Sequence, residues 1–216
     1  IKNLLKINEN VKTNLQNETK TFKVPKIIAV SKTFKIDHIM PLINHGHLDY
    51  GENKVQEAIE KWTKIKEGNK KIKLHLIGGL QTNKVKNAVQ LFDYIHSLDS
   101  KKLADKISYQ QKEQNVETKI FIQVNVGKEE QKSGIPEEEL SDFYKYCKNL
   151  KLNIIGLMCI PPFNQDSTRY FFRMQELNKK IGLKELSMGM SADYLNAIKY
   201  GSTFVRIGSD IFGQRD

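Results

Sequence analysis

The stretch KIIAVSK (26–32) predicts a buried β-strand that ends at a lysine. Seven further short runs of apolar or β-branched residues follow it, most of them about 20 to 35 residues apart. They are LDYG (48–51), KLHLIG (73–78), YIHSL (94–98), KIFIQVN (119–125), IIGLMCI (154–160), ELSMG (185–189) and TFVRIG (203–208). Eight strands in regular alternation with helices predict an α/β protein that closes as a single (β/α)8 TIM barrel.

The segments between these runs have the period of amphipathic helices. After Asn53, apolar residues recur with helical spacing at Val55, Ala58, Ile59, Trp62 and Ile65. The stretch 136–149 begins with a proline and three glutamates, which suit the positive amino end of a helix. An extra amino-terminal helix is predicted from Leu4, Leu5, Val11 and Leu15. A doubly wound open sheet is the competing fold, but no GxGxxG follows the first strand, and we expect one domain over 1–216.

The net charge of +10 comes mainly from lysine-rich helical stretches such as 61–73 and 144–151, where glutamates are interleaved. Few arginines and no aromatic stripe accompany them, so we expect a solvated surface, with RNA binding as a minor alternative. No apolar run approaches the roughly 20 residues of a membrane span, and no signal peptide is recognisable. We therefore expect a cytoplasmic protein without membrane, nucleic-acid or metal binding, in which Cys147 and Cys159 are packing residues.

Polar and small side chains follow the predicted strands at the end where barrels build their active sites. Lys32 follows the first strand, Asn53 follows the second, and Arg206 and Gly208 end the eighth. A lysine beside apolar residues loses hydration, which lowers its pKa and frees the neutral amine that attacks an aldehyde. Lys32 is therefore the candidate reactive amine.

The stretch STFVRIGSDIFG (202–213) predicts a phosphate cradle. We expect a short helix from Ser209, whose first N–H groups attract an anion, and Gly208 lets the backbone approach it. Ser191 is predicted to cap the helix over 192–199 and to offer its hydroxyl to the same anion. Ordinary helix capping is the alternative interpretation. A cradle together with the Lys32 amine indicates one ligand, pyridoxal 5'-phosphate.

Strand alternation predicts that Arg206 points into the barrel while Val205 and Ile207 point outward. A guanidinium there needs an acceptor. The pyridine nitrogen of the cofactor is one, and an ion pair with Glu52 is the other; the residues leave both open. His75, within its predicted strand, is expected to be a core histidine.

Eight ordered blocks of the chain resemble the pyridoxal phosphate homeostasis protein family, whose barrel is similar to the alanine racemase N-terminal domain. The blocks are IIAVSKT (27–33), YGENKVQEA (50–58), LHLIGGLQTNK (74–84), HSLDS (96–100), IQVNVGKEEQKSGI (122–135), GLMCIPP (156–162), LSMGMSADYLNAI (186–198) and GSTFVRIGSDIFGQR (201–215). The resemblance implies a single TIM barrel of the fold-type III class that binds pyridoxal phosphate.

The resemblance also implies roles for individual residues. Lys32 would form a Schiff base with the cofactor, and Arg206 would face its pyridine nitrogen. The phosphate would be held by Ser191, Gly208 and Ser209. The remaining pocket residues would be Asn53 near the ring and, along the wall, Ile77, Gly78, Ser187 and Met188. Many relatives carry a second lysine where this chain has Phe34, which puts in doubt a transfer between neighbouring lysines; Lys132 matches a family lysine.

The main functional hypothesis is a protein that holds pyridoxal phosphate and buffers or delivers it within the cell, without robust catalysis. An arginine at the pyridine nitrogen weakens the ring as an electron sink, which favours this hypothesis. The alternative is a pyridoxal phosphate-dependent enzyme such as an amino-acid racemase. Expected partners are the cofactor and apo-enzymes that require it, and we expect a monomer.

Overall fold

The computed structural model describes residues 1–16, 23–129, 131–163 and 165–214, and Glu130 of the fifth matching block and Arg215 of the last lie outside them. Eight parallel strands form a closed barrel in chain order, and the last strand pairs with the first. The strands are β1 (Lys26–Val30), β2 (Asp49–Glu52), β3 (Lys73–Leu76), β4 (Tyr94–Leu98), β5 (Lys119–Gln123), β6 (Ile154–Met158), β7 (Glu185–Met190) and β8 (Phe204–Ile207). The predicted (β/α)8 barrel is confirmed.

Helices separate the strands, and the predicted amino-terminal helix precedes them. They are α1 (Lys2–Gln16), α2 (Ile36–Asn44), α3 (Val55–Gly68), α4 (Val85–Leu91), α5 (Lys101–Gln114), α6 (Leu140–Asn149), α7 (Thr168–Lys180), α8 (Tyr194–Lys199) and α9 (Ser209–Phe212). Short 3-10 turns at Thr82–Lys84 and Glu137–Glu139 lead into α4 and α6. The three glutamates after Pro136 therefore form a tighter turn than the predicted first helical turn.

Each predicted strand is present, but several end earlier than the apolar run that predicted them. The third ends at Leu76 and the sixth at Met158, although the runs continue through Ile77 and through Ile160. Both isoleucines line a cavity at the rim of the barrel. Their apolar character reflects that lining position, so the run overestimates the strand length.

Two apolar layers position the rim. The outer layer lies between strands and helices and includes the wholly buried Trp62 and Ile95. The inner layer fills the barrel itself with Ile28, Tyr94, Phe121, Met158 and Phe204. The barrel is thus a packed core and leaves ligand binding to the loops at its ends. Across the described segments, no helix is both long and apolar enough to cross a bilayer.

Candidate cofactor-binding site

A cavity opens at the carboxyl ends of the strands, where the sequence predicted a site. Its lining comes from β1, from the loops that follow β1, β2, β3 and β6, from the end of β7, and from β8 and the segments that follow β7 and β8. The lining residues are Val30, Lys32, Asn53, Ile77, Ile160, Met190, Ser191, Ala192, Arg206, Gly208, Ser209, Gly213 and Gln214. Lys32 and Arg206 are its charged members, so this described lining carries two cations and no carboxylate.

The structure brings seven of the ten predicted site residues to this cavity: Lys32, Asn53, Ile77, Ser191, Arg206, Gly208 and Ser209. Three others lie just behind it. Ser187 is wholly buried and contacts Arg206, and Met188 packs in the outer apolar layer. Gly78 lies against Asn53, and a side-chain carbon at this glycine would overlap the backbone carbonyl of Asn53. Close packing of two rim loops therefore explains that glycine.

The turn after Lys32 is held by side chains of α3. Thr33 has a φ of 70°, in the left-handed region that a β-branched residue rarely adopts. Its N–H donates to Glu57 Oε1 at 2.5 Å, and Lys61 Nζ donates to the carbonyl of Ser31 at 2.9 Å. Burial raises the pKa of Glu57, but the bonds from Thr33 and Lys61 outweigh it and the net pKa is lowered. These contacts fix the backbone on both sides of Lys32.

Glu52 takes part in this support and does not pair with Arg206, so the ion pair considered from the sequence is wrong. Its Oε1 accepts hydrogen bonds from Ser31 Oγ at 2.7 Å, Lys61 Nζ at 2.9 Å and Trp62 Nε1 at 2.9 Å. The reason is strand alternation: Glu52 lies one residue before Asn53 and faces the helices, whereas Arg206 lines the cavity.

Arg206 is buried and, in the segments described, its hydrogen-bond partners are neutral oxygens. Nη1 donates to the Ser187 carbonyl at 2.8 Å and to Ser187 Oγ at 2.7 Å, and Nη2 donates to the Cys159 carbonyl at 2.9 Å. Burial lowers the pKa of the guanidinium, which nevertheless stays protonated. These bonds use three of the five N–H donors of an arginine, which leaves two for a ligand.

The segments after β7 and β8 contribute hydroxyls and open space. The predicted capping role of Ser191 is wrong, because α8 begins at Tyr194 and Asp193 occupies the cap position, where its carboxylate accepts the Met190 N–H at 2.7 Å. Ser191 still lines the cavity. The predicted short helix at Ser209 is present as α9.

Gly208 is a glycine that the packing of the protein does not require. Its φ is −115°, and a side-chain carbon there would meet only Val30, at 3.5 Å or more. The free space beside Gly208 belongs to the cavity, which is the arrangement expected where a ligand approaches the backbone closely.

Six lining residues were missed by the sequence reasoning: Val30, Ile160, Met190, Ala192, Gly213 and Gln214. Val30, Ile160 and Met190 lie at or just beyond strand ends, so the rim argument used for Lys32 would have found them. Gly213 ends the stretch predicted as the phosphate cradle but was not singled out, and Gln214 lies just beyond that stretch.

A second cationic cavity lies at the opposite end of the barrel. Lys23, Lys26, Lys119 and Lys184 line it together with Glu185. Lys23 pairs with Glu185 at 3.2 Å with its side chain 66% exposed, which is typical of a solvated surface pair. Among the described residues no group of His, Cys, Asp and Glu is arranged to hold a metal ion.

Comparisons with known proteins agree with this geometry. The family model of the alanine racemase N-terminal domain matches residues 7–216. A pyridoxal phosphate homeostasis protein of Aquifex aeolicus is 40% identical over 200 residues, covering 88% of this chain and 87% of that protein. The pyridoxal phosphate homeostasis protein of Homo sapiens is 40% identical over 215 residues, covering 89% of this chain and 77% of that protein.

Among solved structures, PipY of Synechococcus elongatus with PLP bound is 31% identical and superposes with a TM-score of 0.82. The match covers 96% of this chain and 100% of that one. The family recognised from the eight sequence blocks is confirmed by these matches. This chain belongs to the family of pyridoxal phosphate homeostasis proteins, built on the alanine racemase N-terminal type of barrel.

Proposed function

We propose that this protein binds pyridoxal 5'-phosphate at the rim cavity and serves to buffer or deliver it within the cell. The observation that carries the proposal is that Lys32 and Arg206 line the same cavity, whose described lining has no carboxylate. Two cations favour a phosphorylated ligand, and an amine favours one that also has an aldehyde. The names of the curated relatives and the PLP-bound PipY structure support the same ligand.

Each part of the cavity suits one part of such a ligand. When bound, the cofactor supplies an aldehyde that condenses with a primary amine. Lys32 is the proposed covalent anchor, and Thr33 and Glu57 hold its backbone in place. Ser191 and Ser209 offer hydroxyl donors to the phosphate, and Gly208 provides the space for it.

Arg206 is the proposed partner of the pyridine nitrogen, through the donors that Ser187 and Cys159 do not use. A guanidinium keeps its protons, so it holds that nitrogen as an acceptor and does not protonate it. This setting withholds the positive ring that carbanion chemistry needs, which favours storage and transfer of the cofactor over catalysis. Ile77 and Asn53 complete the wall around the ring position.

The test is covalent trapping on Lys32. Purified protein loaded with pyridoxal phosphate is reduced with borohydride, and the modified peptide is identified by mass spectrometry. We expect the adduct on Lys32, its loss in Lys32→Ala, and its retention in the matched control Lys35→Ala, which changes an exposed lysine three residues away. An adduct that survives Lys32→Ala would overturn the anchor, and failure of the unmodified protein to bind the cofactor would overturn the function.

A second measurement separates a carrier from an enzyme. The loaded protein is incubated with L-amino acids in heavy water, and exchange at the α-carbon is followed by NMR. We expect no sustained exchange above a Lys32→Ala control. Sustained exchange that depends on Lys32 would replace the carrier proposal with a racemase-type activity.

A further inference from the structure

A chain of hydrogen bonds, buried except at Asp49, links Arg206 to the opposite end of the barrel. Arg206 Nη1 lies 2.7 Å from Ser187 Oγ, which lies 2.9 Å from His96 Nδ1. His96 Nε2 lies 3.0 Å from His75 Nδ1, and His75 Nε2 lies 3.0 Å from Asp49 Oδ1. Asp49 is the first residue of β2 and Arg206 lines the rim cavity, so the chain runs through the barrel interior.

The carboxylate end and the neutrality of the two rings fix the direction of every bond. A carboxylate only accepts, so His75 donates from Nε2 to Asp49. Both imidazoles are wholly buried and neutral, so His75 Nδ1 carries no proton and accepts from His96 Nε2. His96 Nδ1 then accepts from the Ser187 hydroxyl, which in turn accepts from Arg206. Each neutral imidazole is consequently held in one tautomer, with its proton on Nε2.

Burial and stacking hold this arrangement. His75 and His96 are wholly buried, and burial lowers the pKa of both; His75 and Arg206 lower that of His96 further. Tyr94 stacks on His75 with ring centroids 4.3 Å apart, and Phe121 stacks on His96 at the same separation. Each neutral ring accepts a hydrogen bond at one nitrogen and donates one from the other, so the series continues without another charge inside the barrel.

We propose that Asp49, His75 and His96 are positioning residues that orient Arg206 toward the ring nitrogen of the bound cofactor. The inference rests on the proposed function. His96 Nδ1 accepts a hydrogen bond from the Ser187 hydroxyl, which leaves the lone pairs of that hydroxyl for Arg206. The Asp49 carboxylate polarises the series of bonds and is the anionic end of a chain whose cationic end is Arg206. When this series of hydrogen bonds is complete, the two bonds from Arg206 to Ser187 fix the orientation of the guanidinium. Its remaining N–H donors are then presented to the cavity.

The test compares a variant that breaks the hydrogen-bond chain with one that removes only a hydroxyl from a neighbouring aromatic residue. His96→Phe removes both nitrogens but retains an aromatic ring against Phe121. Tyr94→Phe retains the ring that stacks on His75 and removes a hydroxyl outside the chain. Because hydrogen bonds to charged groups are among the stronger ones, we expect His96→Phe to bind pyridoxal phosphate about tenfold more weakly. Its cofactor absorption band should also shift, and Tyr94→Phe should match the unmodified protein in both readouts.

Two further measurements keep the inference testable if His96→Phe misfolds or if the protein does not bind the cofactor. Asp49→Asn keeps an oxygen for His75 but removes the charge, and it should give the same band shift with a smaller loss of affinity. In the cofactor-free protein, ¹⁵N NMR of labelled histidines should show His75 and His96 as neutral Nε2–H tautomers. Unchanged binding and spectra in both His96→Phe and Asp49→Asn would overturn the inference, as would an Nδ1–H tautomer at either histidine. Absence of cofactor binding in the unmodified protein would overturn the proposed function. The NMR measurement does not require the cofactor, so it would still test the hydrogen-bond chain.

Discussion

Glu57 Oε1 accepts the backbone N–H of Thr33 at 2.5 Å and so holds a β-branched residue at a φ of 70°. In this left-handed region an L-residue with a Cβ is disfavoured by roughly 1 to 2 kcal/mol, whereas glycine is not. The strained residue directly follows Lys32. The turn is therefore maintained by a contact from α3 and not by its own conformational preference.

This strain predicts an inverted order of two substitutions. Thr33→Gly should be more stable than Thr33→Ala by about 1 kcal/mol, because only alanine keeps the disfavoured Cβ. At Thr63, inside α3, the order should be reversed by a similar amount, because glycine is the poorer helix former. Urea unfolding of the four variants measures both differences. Thr33→Ala equal to or more stable than Thr33→Gly would show that this backbone is not strained.

Removal of Lys61 should destabilise the protein more than removal of an exposed lysine. Lys61 pairs with Glu52 at 2.9 Å, and their side chains are 8% and 0% exposed. Lys61→Met leaves the Glu52 carboxylate buried without its cation, which should lower the free energy of unfolding by about 3 kcal/mol. Lys145→Met breaks a surface pair with Asp142 and should cost less than about 0.5 kcal/mol. Equal effects in chemical unfolding would contradict this account of the Glu52 contacts.

Gly208 should matter for the cofactor and hardly at all for folding. An added methyl group meets only Val30 at 3.5 Å or more, so Gly208→Ala should change the unfolding free energy by less than about 0.5 kcal/mol. The same methyl group occupies the proposed phosphate position and should weaken pyridoxal phosphate binding about tenfold. Gly78→Ala is the contrasting control, because its methyl group overlaps the Asn53 backbone and should reduce stability strongly. Spectroscopic titration and thermal unfolding separate the two effects, and unchanged affinity in Gly208→Ala would remove this glycine from the phosphate site.

Stability should fall as the pH falls below about 6.5, the ordinary histidine value. The folded pKa values of His47, His75 and His96 are lowered, chiefly by burial, so the unfolded chain takes up protons there before the folded protein does. The groups that face them are Asp49, Asp93 and Lys26 around His75, and His75 and Arg206 around His96. Each histidine thus contributes a loss of up to about 1.4 kcal/mol per pH unit below that value.

Urea unfolding between about pH 7 and about pH 5.5 measures this slope. His45→Gln changes an exposed turn residue and should retain it. His96→Phe removes one of the three groups and should reduce the slope by about a third. Stability that stays constant over this range would show that these three imidazoles are not kept neutral in the folded protein.

The barrel could be predicted from the sequence because its strands are local apolar runs and its helices have a clear period. The rim position of Lys32, Asn53 and Gly208 followed from the same rhythm, since parallel strands bring their carboxyl ends together. The inward direction of Arg206 followed from alternation along β8. Their roles toward the cofactor stay predictions until the trapping and binding experiments are made.

Contacts across the barrel could not be predicted in this way. The bond between His96 and Ser187 joins β4 to β7, which are not neighbouring strands, and the β7–β8 pairing changes register after Ser187. Neither fact is encoded in a local pattern. The role of Lys61 could not be predicted either, because one lysine in a lysine-rich helix resembles the others. Only the structure shows that it contacts Glu52.

The inner apolar layer has a consequence for the order of events at the rim. Because Ile28, Phe121, Met158 and Phe204 fill the described barrel, a ligand in the cavity beside Lys32 enters and leaves by way of the rim. Arrival and departure must therefore use the same opening and cannot overlap in time. A recipient protein that takes the ligand directly has to cover that opening, and while it does so it also blocks reloading. If the protein delivers its ligand as proposed, transfer and refilling would therefore alternate.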